Sequence, residues 1–197
     1  ILVWVSPSNP TGVVYTKEEA EKIYNWAFEN DIWILSDELY EHLVYEGATS
    51  PSPAQYDTTL KNTIVINGVA KAYSMTGWRV GWIIANTDVI DMAKKIQSHA
   101  TSNVSNLSQI AAYSALKNGL DETNLMKKSF NRRRLFAIEE FLKIEKIKLI
   151  KSSGAFYLFP DISYYCSNGV INGVNNSVDF CNWLLDEHYI AFVPGEV

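Results

Sequence analysis

Three polar side chains stand just past three apolar, strand-like segments of the 197-residue chain. They are Asn9, Asp37 and Lys71, and each follows its segment along the chain within a few positions. In open α/β sheets, ligands bind beyond the carboxyl ends of the strands, so neighbouring strands would bring these side chains to one edge. The sequence therefore predicts a binding site that contains an amide, a carboxylate and an amine.

A carboxylate, a lysine and an arginine in one site meet the chemical needs of pyridoxal 5'-phosphate (PLP). This cofactor requires an amine for its aldehyde, an anion that keeps its pyridine nitrogen protonated, and donors for its phosphate. Lys71 would supply the amine and Asp37 the anion. Arg79 would hold the phosphate with its fork of donors. Asn9 and Tyr40 would donate hydrogen bonds to the phenolic oxygen of the ring and stabilise its anion.

The elements that must position these residues alternate along the first half of the chain. Apolar segments typical of buried strands cover residues 1–5, 32–35, 64–66 and 82–85. Between the first two segments, Thr16 and Glu19 form a capping box that predicts the start of a helix. Strands that alternate with helices favour an α/β fold with a mostly parallel sheet that is buried on both faces.

The second half of the chain has a different organisation. A helical pattern runs from residue 88 to about residue 145. Short strands are then predicted at residues 148–150, 155–159 and 190–193. Ser177 is the predicted cap of a helix that precedes the last of these strands.

These two organisations predict two domains. We place part of a large α/β domain in residues 1–120 and part of a smaller α+β domain in residues 121–197. A long helix would lead from the first domain into the second. The stretch from residue 168 to residue 176 is rich in Gly and Asn and is typical of a surface loop.

Composition argues against several classes of partner. The net charge of −5 provides no excess of Lys and Arg for nucleic acid, and the one basic run, residues 132–134, is predicted to be a solvated helix face. No apolar run reaches the roughly 18 residues that span a membrane. Cys166, Cys181 and the three histidines match no metal-ligand spacing and no disulfide scaffold. We therefore expect a cytoplasmic protein that binds no metal, nucleic acid or membrane.

Five segments of the chain resemble motifs of one enzyme family. Asn9–Gly12 (NPTG), Asp37–Tyr40 (DELY) and Lys71–Gly81 (KAYSMTGWRVG) resemble the signature motifs of class I and II aminotransferases of PLP fold type I. Gly154–Asp161 (GAFYLFPD) and Val193–Gly195 (VPG) resemble small-domain motifs of the bacterial-type aspartate aminotransferase branch. The similarity covers essentially the whole chain, which we expect to be the C-terminal half of such an enzyme, truncated at both ends.

The resemblance implies a homodimer that binds PLP between its large and small domains. It implies transfer of an amino group between an L-amino acid and a 2-oxo acid by a ping-pong mechanism, with aspartate and 2-oxoglutarate as the favoured pair. In this family pattern Lys71 forms the Schiff base and shuttles a proton, Asp37 pairs with the pyridine nitrogen, and Arg79 holds the phosphate. Asn9 and Tyr40 serve the phenolic oxygen, and Asn9 also lies near the substrate.

Two other functions remain open from the sequence. A different PLP enzyme of the same fold, such as an aromatic or prephenate aminotransferase, a lyase or a synthase, would share these motifs. A non-catalytic aminotransferase-like domain that senses a ligand would share the fold. By the resemblance, the glycine-rich phosphate loop precedes Ile1 and the arginine for the substrate carboxylate follows Val197, so those segments would discriminate between the functions.

Overall fold

The computed structural model describes residues 1–167 and 169–196. Asn168, the first residue of the predicted surface loop, and Val197 lie outside the described residues. The strands and helices follow in the order β1 (Leu2–Val5), α1 (Lys17–Glu29), β2 (Ile34–Asp37), β3 (Thr63–Gly68), β4 (Gly81–Ile84), α2 (Thr87–Ala100), α3 (Asn106–Asn118), α4 (Leu120–Leu142), β5 (Lys148–Leu149), β6 (Pro160–Asp161) and α5 (Ser177–His188). Short 3-10 helices cover Pro53–Gln55 and Thr76–Trp78. No helix in the two described ranges is long and apolar enough to cross a lipid bilayer.

The chain forms two compact units. The first contains residues 1–133 and 151–157, and the second contains residues 134–150 and 158–197. Our assignment of residues 1–120 and 121–197 to the large and small domains of the family stays a prediction.

The first unit contains a four-stranded sheet with the strand order β1-β2-β3-β4. β1 and β2 are parallel, β2 and β3 are parallel, and β4 runs antiparallel to β3. The sheet is therefore mostly parallel, as the sequence predicts. Its register places Asp37 beside Val5 on one side and Ile66 on the other. The carboxyl ends of the three parallel strands consequently share one edge of the sheet.

The sheet of this chain buries one face far more than the other, so the prediction that both faces are buried was wrong. On the buried face, Trp4 and Ile34 pack with residues of α1 in one hydrophobic cluster. Because side chains alternate between the faces of a strand, the neighbours of these residues point to the opposite side. There Val3 is 60% exposed, and Ile83 on the edge strand β4, which pairs with Ile66, is 37% exposed.

Helix α1 begins as the sequence predicts. The Thr16 hydroxyl accepts a hydrogen bond from the backbone N–H of Glu19 (3.2 Å), and the Glu19 carboxylate accepts one from the backbone N–H of Thr16 (2.8 Å). This reciprocal pair satisfies two donors that the first turn of a helix leaves free. The helix then presents Ala20, Tyr24 and Ala27 to the core at helical spacing.

Residues 151–157 belong to the first unit and lie against two of its loops. The backbone oxygen of Gly12 accepts hydrogen bonds from the N–H groups of Ser153 and Gly154, both at 2.9 Å. The N–H of Ala155 donates to the carbonyl of Leu43 at 2.8 Å, and Ala155 adopts a left-handed backbone with φ of 56°. Since a left-handed residue interrupts an extended chain, the predicted strand at residues 155–159 was wrong. The strand that forms is β6, which pairs with β5 in the second unit.

Two further predictions fail near α5, and helix capping explains both. Asn176 rather than Ser177 caps the helix, since its side chain accepts from the N–H of Asp179 at 2.8 Å. At the other end, the N–H of Ile190 donates to the carbonyl of Leu184 at 3.1 Å, a bond typical of a helix C-terminus. Residues 190–193 form no strand, because Ile190 continues the cap instead of pairing with a neighbouring strand.

The basic run on α4 is only partly solvated. Arg132 and Arg133 are exposed, whereas Arg134 is buried. Successive residues of a helix point about 100° apart, so three neighbours cannot share one face. The prediction of a solvated face was therefore wrong for Arg134, and the run forms no basic patch.

We predict that Gly12→Ala destabilises the protein by about 2 to 5 kcal/mol. Gly12 has φ of 70°, and a Cβ atom there would lie 2.4 Å from the Cβ of Ser152. The left-handed backbone costs about 1 to 2 kcal/mol and overpacking about 1 to 3 kcal/mol more. Gly47 is the matched control, because its φ is 80° and a Cβ atom added there would meet nothing within 4 Å. Urea unfolding of the full-length apoprotein should show a clearly larger loss of unfolding free energy for Gly12→Ala than for Gly47→Ala. Equal losses in the two variants would contradict the packing argument.

Candidate active site

The carboxylate of the site lies at the end of a strand. Asp37 is the last residue of β2 and is half-buried at the carboxyl edge of the sheet. Its Oδ1 accepts a hydrogen bond from the backbone N–H of Leu39 at 3.2 Å. That bond holds the side chain in place through one of its two carboxylate oxygens, and a carboxylate can accept at both. Asp37 can therefore accept a hydrogen bond from a ligand that is bound at this edge of the sheet.

The amine of the site lies over two aromatic rings. The Nζ of Lys71, in the segment that follows β3, lies 5.7 Å from the ring centroid of Tyr40 and 5.5 Å from that of Phe156. The two rings contact each other edge to face, with centroids 5.4 Å apart. A cation above an aromatic face is attracted by the electrons of the ring. The structure thus brings together Lys71 and Tyr40, two of the predicted site residues, and adds Phe156.

A cavity of about 240 Å³ opens beside the Lys71 amine. Its wall combines hydroxyl groups with apolar and aromatic side chains. The lining residues are Ala70, Lys71, Ser74, Thr76, Met126, Phe130 and Phe156. Ligand sites typically have this composition, with a few polar groups on an apolar wall. A small organic group could therefore enter next to the amine.

Arg79 and Asn9 lie on the surface of the first unit. Arg79 has a left-handed backbone with φ of 55°, and its Nη1 donates to the carbonyl of Thr76 at 2.8 Å. The guanidinium carries five N–H donors, so this bond leaves capacity for an anion. Asn9 is exposed on the turn that Gly12 closes. Within residues 1–167 and 169–196, no hydrogen bond or ring contact joins Asn9 or Arg79 to Lys71.

Sequence reasoning missed Tyr157. Its hydroxyl lies 2.5 Å from the hydroxyl of Tyr40, and the two rings are edge to face with centroids 5.7 Å apart. Burial raises the pKa of Tyr40. The Tyr40 phenol is therefore neutral at physiological pH and keeps a proton that it can donate. The one signal in the sequence was the position of Tyr157 within the GAFYLFPD motif.

The site also contains a buried carboxyl that was not predicted. Glu38 follows Asp37 and accepts hydrogen bonds from the hydroxyls of Ser36 (2.7 Å) and Ser52 (2.5 Å). Burial raises the pKa of Glu38, and these two hydroxyls offset part of the increase. The side chain ties the loop that contains Ser52 to the end of β2. Glu38 therefore stabilises the backbone on which Asp37 and Tyr40 lie.

Comparison with known proteins identifies the family. The family model described as aminotransferase class I and II matches residues 1–197. The chain belongs to this family. The match confirms the predicted family, and the predicted α/β aminotransferase fold is confirmed by solved structures of such enzymes.

The relatives of this aminotransferase chain carry several names. It is 43% identical to an aspartate aminotransferase of Streptomyces avermitilis over 198 residues, which covers 100% of the chain and 48% of that protein. It is 40% identical to an asparagine–oxo-acid transaminase of Streptococcus mutans, covering 99% of the chain and 49% of that protein. The chain thus spans about half the length of the curated relatives it matches.

The solved structures agree with this assignment. An aromatic aminotransferase from Pyrococcus horikoshii superposes with a TM-score of 0.90 at 34% identity, covering 99% of this aminotransferase chain and 50% of that one. An aspartate aminotransferase from Thermus thermophilus, solved with maleate, has a TM-score of 0.87 at 35% identity and covers 98% and 48%. The similarity of fold therefore extends over nearly the whole chain.

Proposed function

We propose that this chain carries the cofactor-binding lysine of a PLP-dependent aminotransferase, and that the enzyme transfers an amino group between L-aspartate and 2-oxoglutarate. The observation that carries the proposal is the Lys71 amine, which lies on the rings of Tyr40 and Phe156 beside a cavity. Asp37 ends the neighbouring strand at the same edge of the sheet. An amine and a carboxylate at one strand edge, in this family, are suited to PLP chemistry.

The predicted site residues fit the three polar parts of PLP. Lys71 would bind the carbonyl carbon of the cofactor, Asp37 would accept a hydrogen bond from its protonated pyridine nitrogen, and Arg79 would donate to its phosphate. Asn9 and Tyr40 would donate to its phenolic oxygen, and Asn9 would also lie near the substrate. When bound, PLP withdraws electrons from the substrate carbon next to the amino group.

Lys71 would have a second role as a base that moves a proton of the substrate. A free amine beside the reacting carbon can remove a proton from that carbon and return it at another position. The rings of Tyr40 and Phe156 limit where the lysine side chain can move, which keeps its Nζ near the cavity. This restriction favours proton transfer by Lys71.

The names of the relatives favour aspartate as the amino-group donor. Several curated proteins with 38–44% identity over nearly all of this chain are named aspartate aminotransferase. Others are named for asparagine or for aspartate and prephenate, and one solved structure is of an aromatic aminotransferase. These names give the set of donors to be compared, with aspartate expected to be the best.

We further propose a cytoplasmic homodimer. Cys166 and Cys181 are both free thiols, which suits a reducing compartment. Helices α2 and α3 expose a row of large apolar side chains that is typical of a face covered by another polypeptide segment. These side chains are Met92, Ile96, Leu107, Ile110, Tyr113 and Leu116. Either a second subunit or the remaining length of such an enzyme would cover this face.

The substrate proposal is tested with the purified full-length enzyme, PLP and pairs of amino acids and 2-oxo acids. Aspartate with 2-oxoglutarate should yield oxaloacetate and glutamate at the highest kcat/KM, with asparagine, phenylalanine and tyrosine lower. A higher kcat/KM for an aromatic donor would contradict the aspartate assignment. Formation of a 2-oxo acid without any amino acceptor would indicate a lyase. Binding of PLP without turnover of any pair would support the ligand-sensing alternative.

A further inference from the structure

We propose that Tyr157 is a positioning residue that acts through Tyr40 to control the pH at which the Lys71-bound cofactor loses its proton. The inference rests on the proposed function, because it concerns the same site. It starts from the contact between the two hydroxyl groups, which lie 2.5 Å apart although their residues are 117 positions apart in the chain.

Several contacts fix Tyr157 in this place. The hydroxyl of Tyr45 donates to the carbonyl of Ala155, and the N–H of Ala155 donates to the carbonyl of Leu43. Ala155 is fully buried and its left-handed backbone turns the chain. Phe156 and Tyr157 then both pack on the ring of Tyr40. The contact between the two hydroxyl groups therefore results from a turn at Ala155 that these hydrogen bonds and ring contacts hold in place.

The number of protons decides the direction of the hydrogen bond. Each tyrosine hydroxyl has one proton to donate and can also accept. If Tyr40 donates its proton to the phenolic oxygen of the cofactor, that proton is no longer available to Tyr157. Tyr157 must then be the donor in the pair. The result is a chain of two hydrogen bonds that runs from Tyr157 through Tyr40 to the cofactor.

Such a chain has a predictable effect on the cofactor. Consecutive hydrogen bonds polarise one another, and each strengthens the next by about 10–30%. Donation from Tyr157 makes Tyr40 a stronger donor, which stabilises the phenolic anion of the cofactor. The bound cofactor therefore loses its proton at a lower pH than it would without Tyr157. Tyr157 makes no contact with Lys71 among the ring and hydrogen-bond contacts of the described residues, so its effect passes through Tyr40.

The test is a pH titration of the visible absorbance of PLP bound to the full-length enzyme. Removing the hydroxyl in Tyr157→Phe keeps the ring contacts and should raise the titration midpoint by about 0.1 to 0.7 pH unit. Tyr40→Phe removes the direct donor and should raise it by about 1 to 2 pH units. Tyr56→Phe is the matched control, since the Tyr56 hydroxyl bonds to the Lys17 carbonyl elsewhere in the unit. Its midpoint should equal that of the wild type.

The double variant distinguishes action through Tyr40 from an independent effect. In the Tyr40→Phe background, Tyr157→Phe should cause no further shift, because the chain of hydrogen bonds is already broken. An equal shift in both backgrounds, or no shift in Tyr157→Phe, would overturn the proposal. Replacing Tyr157 with 3-fluorotyrosine, a more acidic donor, should move the midpoint in the opposite direction. Wild-type protein without visible absorbance would overturn the proposed function itself, a separate result.

Discussion

Lys71→Ala is expected to eliminate the visible absorbance of the bound cofactor and to lower kcat by at least about a thousandfold. The variant removes both the covalent attachment and the base, and general acid–base catalysis alone contributes about 10²- to 10⁴-fold. The positive charge that rests on the rings of Tyr40 and Phe156 is lost as well. Absorbance spectra and steady-state kinetics of the full-length enzyme measure both effects.

Two controls separate the chemistry of Lys71 from its charge and from general damage. Lys71→Arg keeps a cation at the rings but has no nucleophilic amine, so it should be as inactive as the alanine variant. Lys94→Ala removes an exposed lysine of α2 that pairs with Asp91 at 3.5 Å, and it should remain fully active. Activity of Lys71→Arg within tenfold of the wild type would show that Lys71 only supplies charge.

Asp37→Asn is expected to lower kcat/KM by about 10²- to several thousandfold. Loss of one partner from a buried ion pair costs about 3–5 kcal/mol, and each 1.4 kcal/mol corresponds to a factor of ten. The Asn side chain has nearly the same shape, and its amide oxygen can still accept from the N–H of Leu39. The fold at the end of β2 should therefore survive while the negative charge is lost.

The control for Asp37 is an aspartate outside the site. Asp31 is exposed at the turn that follows α1, so Asp31→Asn should leave kcat/KM unchanged. Thermal unfolding of both variants reports whether the fold is intact. Near wild-type activity in a well-folded Asp37→Asn protein would exclude Asp37 as the partner of the pyridine nitrogen and would move that role to another acid, with Glu38 the nearest in the chain.

The features that the sequence predicted correctly depend on local interactions. Thr16 and Glu19 cap α1 because both partners of the capping box lie within one turn. The strands of the sheet were recognisable because they are short apolar runs between turn residues. Because β2 and β3 are parallel, Asp37 lies at the edge of the sheet where β3 also ends, and Lys71 follows β3 in the chain. The placement of Asp37 at this edge was therefore predictable from the sequence alone, and the cofactor site at the edge stays a prediction.

The features that were missed depend on contacts between distant segments. Residues 155–159 have an apolar pattern that suits a strand, but Ala155 turns the chain because it bonds to Leu43. Tyr157 reaches Tyr40 only as a result of that turn. The burial of each sheet face also depends on which helices cover it, and the pattern within a strand does not show this. Contacts of this kind require the three-dimensional arrangement.

The most direct test of the central claim is chemical labelling of the lysine. Sodium borohydride reduces a carbon–nitrogen double bond between a lysine and PLP to a stable amine. We expect mass spectrometry of proteolytic peptides from the reduced full-length enzyme to find the phosphopyridoxyl group on Lys71 with a stoichiometry near one per subunit. A label that is confined to another lysine, or that persists at the same stoichiometry in Lys71→Ala, would contradict the account.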